Sequence, residues 1–332
     1  MLRIQKVEHL AKAIGTSESR IRKIANSASK FIAKFQLVDP GNPNFKKRIV
    51  FSVKGDLRQV QSRILTLLSK NDPEHICSHG GITNRSILTN ASVHLASDFV
   101  YKTDISSFYP SISHRRVYKY FVTVQRCSPD VARILTMLTT FEHHVPLGLI
   151  TSPFLADRIL RQVDIRIHTA CLQHGISYSR FVDDIVLSAK FNLRNSGFPR
   201  LVREIIRSCG FKVNDSKDEF ADLQDGVLIT GLRVKNGRID VRSSFVRSVE
   251  AQIKIAEQLA DGKNVQGVFA TKSQVLGRLH FMRFVNSDRH LRLFEKFNSV
   301  DWTKAFQVAE RRGLIAPEKK LVKFHDSVAA NI

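Results

Sequence analysis

The spacing of apolar residues divides the chain into a mixed front part and a helical end. Residues 1–30 show helical spacing on a basic background, with Gly15-Thr16-Ser17-Glu18 as a helix start. Pro and Gly punctuate Asp39-Pro40-Gly41-Asn42-Pro43, where the chain must turn. A short basic strand is predicted over Lys46–Val53. Lys54–Ser69 then returns to helical period, with Leu57, Val60, Ile64, Leu67 and Leu68 on one face. Phe99–Ile105 reads as a strand, and Pro153–Leu172 as a helix opened by the proline its first turn favours. Two short strands, Ile176–Arg180 and Ile185–Ser188, bracket Phe181-Val182-Asp183-Asp184. A further pair, Val227–Leu232 and Arg238–Val241, is joined through Lys235-Asn236-Gly237. Beyond Arg242 the pattern is almost wholly helical. There Arg247, Lys254, Lys272, Arg278, Arg283, Arg289, Arg292 and Lys296 alternate with apolar residues. No repeat or low-complexity tract interrupts this α+β body and its basic helical end.

Charge narrows the partner class. Fifty-two Lys and Arg against thirty Asp and Glu leave +22 on 332 residues. Such an excess repels itself in a compact state unless a polyanion neutralises it, which points to nucleic acid. An anionic membrane surface is the rival, but no apolar run approaches the roughly 20 residues that span a bilayer. The N-terminus shows no signal-peptide core either, so no membrane partner is expected. Cys77, Cys127, Cys171 and Cys209 are scattered without a Cys-x-x-Cys pair. This excludes zinc-ribbon spacing and a disulfide framework, and it fits a reducing cytoplasm.

The candidate chemistry lies in three acids. Asp183 and Asp184 are adjacent at a turn between apolar strands, where a turn is needed for both carboxylates to reach one site. Crowding like charges is costly unless a cation or proton is shared. Asp104 ends the strand Phe-Val-Tyr-Lys-Thr-Asp and supplies a third carboxylate. Three such groups suit an oxygen cage for two Mg²⁺ ions, which would activate a hydroxyl and stabilise departing pyrophosphate.

The order of these segments resembles a family. Asp104-x-x-x-Phe108-Tyr109-Pro110-Ser111-Ile112, then Gly148-x-x-Thr151-Ser152-Pro153, then Phe181-Val182-Asp183-Asp184, then Gly210-Phe211-Lys212-Val213-Asn214-x-x-Lys217 resemble the successive palm motifs of reverse transcriptases. The resemblance covers about residues 45–245. It implies a right-hand polymerase with fingers, an antiparallel palm sheet and a helical thumb. Residues 1–98 would form an N-terminal extension and fingers, 99–241 the palm with interleaved fingers helices, 242–312 the thumb and 313–332 a tail.

The same resemblance implies roles. Asp104, Asp183 and Asp184, with the backbone of Ile105, would hold the metal ions. Tyr109 would crowd a nucleotide's 2′-hydroxyl, and Arg48 would meet the triphosphate of a deoxynucleotide. Gly148 and Ser152 would lie against nucleotide and template, and Lys217 would protonate the leaving pyrophosphate. Two departures stand out: Phe181-Val182 replaces Tyr-Ala before the acids, and Pro146-Leu147-Gly148 replaces Pro-Gln-Gly.

Within the family, Asn90-Ala91-x-x-His94 and Ile229-Thr230-Gly231 resemble two signatures of retron enzymes, in a chain with no maturase, endonuclease or RNase H extension. That implies a bacterial protein that binds a structured non-coding RNA, primes from its 2′-hydroxyl and makes branched RNA–DNA for anti-phage defence, together with a toxin or effector. Asn90 and His94, four apart on a helix, would clamp RNA or hydrogen-bond inside the core. Lys272, Arg278 and Arg283 of the thumb would hold RNA stem-loops, and Lys319-Lys320-Leu321-Val322-Lys323 would add to that surface. The alternatives are another bacterial defence reverse transcriptase with a different priming mode, and a catalytically silent RNA-binding scaffold.

Overall fold

Gly15, at φ +64°, divides the basic N-terminal stretch into two helices rather than one. Helix α1 (Val7–Ala13) stops before it, and Ser17 then accepts the Arg20 amide to cap α2 (Glu18–Asn26). The computed structural model describes residues 1–39, 45, 47–315 and 320–323. The turn expected at Pro40–Pro43, together with Lys46 and Lys319, lies outside these residues.

A strand that helical and alternating periods both fail to mark, β1 (Ile32–Val38), pairs antiparallel with β2 (Arg48–Val53). All seven β1 residues are half-buried, so neither face carries a clear apolar stripe. Helix α3 (Gly55–Asn71) buries Leu57, Val60, Ile64 and Leu68, while Leu67 stays half-buried. A reciprocal Ser86–Thr89 cap then opens α4 (Ile87–Ser92).

The central sheet is assembled from β3 (Phe99–Asp104), β4 (Ser177–Phe181), β5 (Asp184–Ala189) and β6 (Glu219–Asp222), in the order β4-β5-β3-β6 and antiparallel throughout. Between β3 and β4 run α5 (Phe108–Ser111), α6 (His114–Lys119), α7 (Pro129–Thr139) and the long α8 (Ser152–Leu172). Helix α9 (Phe198–Ser208) follows β5.

Strand alternation explains why both faces of the sheet are apolar. Ile185, Leu187 and Ala189 join the core that contains α8, whereas Val186 joins a second core on the opposite face. That second core is closed by β7 (Val227–Ile229), β8 (Leu232–Lys235) and β9 (Arg238–Asp240). The strand pair expected here is a three-stranded meander: Thr230 and Gly231, both at positive φ, turn the chain between β7 and β8. Asn236-Gly237 makes the second turn, as its composition predicts.

One core runs from Val7 to Val213, so the fingers and palm share it across residue 98. The helical end has its own core. It consists of α10 (Ser243–Ala260), α11 (Lys272–Val285), α12 (Ser287–Ser299) and α13 (Trp302–Arg311). The last described segment, β10 (Lys320–Lys323), returns across the molecule to pair with β1. This is the right-hand arrangement of fingers, palm and thumb.

A close approach fixes the fingers against the palm. The Phe51 amide donates to the Leu147 carbonyl at 2.7 Å, and a Cβ on Gly148 would come within 2.2 Å of the Phe51 oxygen. Gly148 also has φ +111°. Gly148→Ala therefore meets both a clash and a strained backbone. Gly175, at φ +64° with open space around it, isolates the strain alone, about 1–2 kcal/mol. Urea denaturation should show a clearly larger loss for Gly148→Ala than for Gly175→Ala. Equal losses would remove the close-packing account.

Candidate active site

Strand register brings the three acids together. Asp104 at the end of β3 pairs across from Asp184 at the start of β5, and Asp184 pairs with Phe181 of β4. The two-residue loop Val182-Asp183 closes the β4–β5 hairpin, and the Ile105 amide donates to the Asp183 carbonyl at 3.2 Å. Carboxylate oxygens of Asp104, Asp183 and Asp184 all lie within 4.8 Å of one another.

The loop is held in a conformation its sequence resists. Val182 is β-branched yet has φ +61°, a cost on the order of 1–3 kcal/mol. Two features hold it there. Gly80 lies flush against the loop, where a Cβ would stand 2.5 Å from the Val182 nitrogen. Arg180, 1% exposed, donates Nη1 to the Val182 carbonyl at 2.8 Å. Its other nitrogens bond Asp157 and Asp164 of α8 at 2.7 Å, and Tyr178 also donates to Asp164. The sequence marks this anchor only faintly. Its signal was a charged residue inside an apolar strand, and two acids seven apart on the buried face of α8.

The electrostatics ask for a cation. Burial, then Asp104 and Asp184, push the Asp183 carboxyl up to about 6. Burial and Asp104 also raise Asp184, against the pull of Lys217. Asp104 Oδ2 accepts from Lys217 Nζ at 2.7 Å, while Asp104 Oδ1 is buried without a hydrogen-bond partner. An orphaned buried carboxylate oxygen facing two further carboxylates fits the hard, oxygen-liganded Mg²⁺.

The acids form a ridge between two cavities. One, of about 680 Å³, opens toward the fingers and is lined by Asp104, Asp183, Tyr109, Lys34, Lys47 and Arg48. The other, of about 800 Å³, opens toward the meander and is lined by Asp104, Asp184, Lys102, Thr230, Gly231 and Arg242. Arg48 is exposed within the first. Burial and Asp183 push the half-buried Tyr109 phenol up to about 12, so it is neutral at physiological pH.

Three expected ligand contacts require correction. Ser152 is fully buried, and its hydroxyl donates to the Pro146 carbonyl at 2.5 Å, so it shapes the loop before α8 instead of touching a nucleotide. Gly148, by contrast, is exposed, and its lack of a Cβ makes room for the Phe51 carbonyl. His94 is fully buried, its ring nitrogens bonded to Ser188 and Ser179 hydroxyls at 2.7 Å. Burial lowers its pKa to about 3, which keeps it neutral. Asn90 is also fully buried and reaches Thr230 Oγ1 at 3.5 Å. Neither Asn90 nor His94 is open to RNA. Helix α4 carries Asn90 but ends at Ser92, so His94 lies in the turn after it; α4 packs on the meander, where the two signature segments meet.

On the thumb, Lys272 and Arg283 are exposed and lie eleven residues apart on α11, hence within about 20° on one face. Arg278 is half-buried and turns to Ser248 of α10 at 3.4 Å, off that face.

The raised Asp183 pKa carries a stability consequence. Its folded value, about 6, exceeds the unfolded value near 3.9. Below about pH 4 both states hold the proton and the group is neutral to stability; between about pH 4 and 6 the metal-free fold loses stability as it ionises. The loss is on the order of 2 kcal/mol. Melts in EDTA should show this decline, Asp183→Asn should reduce it, and Mg²⁺ should stabilise the parent more at pH 7.5 than at pH 5. A parent curve that is flat over this window would contradict the proposed crowding.

Comparison with known proteins follows the same line. The reverse transcriptase (RNA-dependent DNA polymerase) family matches residues 40–234, more than half of the chain. The chain is 31% identical over 241 residues to the retron Se72 reverse transcriptase of Salmonella heidelberg, covering 70% of this chain and 63% of that protein. It is 24% identical over 296 residues to the retron Ec86 reverse transcriptase of Escherichia coli, covering 88% of each. It thus spans less than two thirds of the length of the Salmonella relative. A solved telomerase from Candida albicans, in complex with a fragment of telomeric RNA, aligns at TM-score 0.46 and 13% identity over 85% of this chain and 60% of that one. No described helix is long and apolar enough to cross a membrane. By the family match over residues 40–234 and these retron relatives, the chain belongs to the reverse-transcriptase family, as a retron-type member.

Proposed function

We propose that the chain is the RNA-directed DNA polymerase of a retron. It binds a structured non-coding RNA, starts from a 2′-hydroxyl of that RNA and copies part of it into branched RNA–DNA, with a toxin or effector as partner in anti-phage defence. What supports the polymerase reading most is the ridge of Asp104, Asp183 and Asp184 between a cation-lined cavity and the meander cavity. A deoxynucleoside triphosphate fits the first, and a primer end the second.

Two Mg²⁺ ions, when bound by the three acids and the Ile105 carbonyl, supply Lewis acidity at the attacking hydroxyl and at the departing pyrophosphate. Arg48, with Lys47, receives the triphosphate; the guanidinium suits bidentate contact with phosphate oxygens. The Tyr109 ring stands beside Asp183 on the same wall and bars a 2′-hydroxyl. Lys217, whose proton Asp104 helps retain, donates to pyrophosphate as general acid. Exposed Lys272 and Arg283 meet RNA phosphate.

Asp104→Asn and Asp183→Asn should each reduce primer extension with Mg²⁺ to background, while RNA binding persists and metal-free melting does not fall. Near-normal extension by either variant would overturn the assignment.

The thumb contact is tested by salt. Each phosphate neutralised contributes roughly 0.7–0.9 to the slope of log affinity against log salt. Replacing Lys272 and Arg283 by Ala should lower that slope by about 1.4–1.8, and adding Arg278→Ala should change it little further. Titrations with the co-purifying RNA and an unrelated structured RNA should diverge. Equal losses on both would reveal a non-specific basic patch.

A further inference from the structure

Away from the acidic ridge, the loop joining α3 to α4 carries His75 and Cys77 against His168 on the outer side of α8. Donor atoms of these three residues lie within 4.8 Å of one another. We propose that His75, Cys77 and His168 form a three-ligand zinc site, its fourth tetrahedral position left to water, that pins this loop to α8.

The donor set and geometry carry the proposal. Two imidazoles and a thiolate suit borderline-soft Zn²⁺, and no carboxylate belongs to the set. Bonds of about 2.0–2.1 Å to nitrogen and 2.3 Å to sulfur separate tetrahedral ligand atoms by roughly 3.3–3.8 Å. Small side-chain movements close the difference. The histidine rings are 5.4 Å apart at 83°, edge to face. Cys77 is 5% exposed and both histidines are half-buried, so the thiol is shielded while the imidazoles keep a path for entry. Cys171, buried three residues beyond His168 on the same helix, lies near Cys77 but outside the 4.8 Å set.

The surrounding charges largely offset one another, so the Cys77 thiolate must supply the negative charge that meets the ion. Asp164 bears on His75 and Cys77, but Arg85 or Arg161, and Arg180, oppose it. Burial keeps His75 below the usual imidazole range, hence neutral with a lone pair to give. It also pushes the Cys77 thiol up to about 12, so the ion must displace that proton, as in structural zinc sites generally.

The location gives the site a purpose. The Cys77 carbonyl accepts the Arg180 amide, and the His79 amide donates to the Arg180 carbonyl, both at 2.8 Å. Cys77 thus anchors the segment that runs beside β4 and ends with Gly80 against Val182. Fixing Cys77 to α8 braces the back of the catalytic turn.

The test uses the full chain, stripped of metal and held in excess Mg²⁺ to occupy the palm carboxylates. One equivalent of Co²⁺ should produce a thiolate-to-cobalt charge-transfer band with the visible bands of a tetrahedral ion, and Zn²⁺ should erase both. Oxygen ligands in the palm cannot give the thiolate band. Cys77→Ser and His168→Gln should abolish it and lower Zn²⁺ affinity at least about tenfold. Cys127→Ser and Cys209→Ser should retain it, with circular dichroism checking each fold. Zn²⁺ should also raise the melting temperature of the parent but not of Cys77→Ser. Absence of the band in the unsubstituted chain, or its survival in Cys77→Ser, overturns the proposal whatever the variants' stability.

Discussion

A buried guanidinium decides where the catalytic turn lies. Arg180 must leave water to occupy the interior of β4, and desolvation of a lone cation there would cost several kcal/mol. Asp157 and Asp164 meet it from α8, Tyr178 shares Asp164, and Ser78 and Arg158 both bond Asp157. One arm remains for the Val182 carbonyl. The network ties helix, strand, loop and turn at a single point. Removing one partner would leave an uncompensated buried charge, typically a loss of about 3–5 kcal/mol. That rigidity lets a β-branched residue stay in the left-handed region, and so lets Asp183 face Asp104.

Much of this was legible in the sequence because local signals and long-range order agreed. The apolar runs around Asp104 and around Asp183-Asp184 marked strands ending in acids, and the register of those strands is what gathers them. The helix expected over Pro153–Leu172 was marked by its opening proline, and the thumb helices by their helical pattern. Other elements left no local trace. Half-buried β1 has no one-sided stripe, and its partner β10 lies nearly three hundred residues away. Arg180 looked like any basic residue in a basic chain, since its acids are on another element. The convergence of His75 and Cys77 with His168 was invisible for the same reason.

Residue identity within a motif reveals a constraint without saying whether a ligand or the fold imposes it. Ser152 and Gly148 belong to a recognisable motif, yet one spends its hydroxyl on Pro146 and the other yields space to Phe51. Asn90 and His94 likewise serve packing between α4, the palm sheet and the meander. The buried Asn90 and His94 tie α4 and the turn after it to the sheet and the meander, and Gly148 lets the Phe51 strand come close. A cavity wall can be as specific in its residues as the contact it serves.

Lys217 joins the electrostatics of the resting site to the chemistry proposed for it. Three carboxylates within 4.8 Å repel one another, and the ammonium on Asp104 Oδ2 offsets part of that repulsion. It leaves Oδ1 unpaired, so the site is partly compensated and still short of positive charge. A divalent cation at the acids would compete with Lys217 for Asp104. More than half exposed, the lysine side chain has room to turn toward the fingers cavity that it also lines. The charge that steadies the acids before metal binding would then be free to face the place where pyrophosphate is proposed to leave. On that proposal, holding a metal and presenting a proton donor would be two sides of one electrostatic exchange around Asp104.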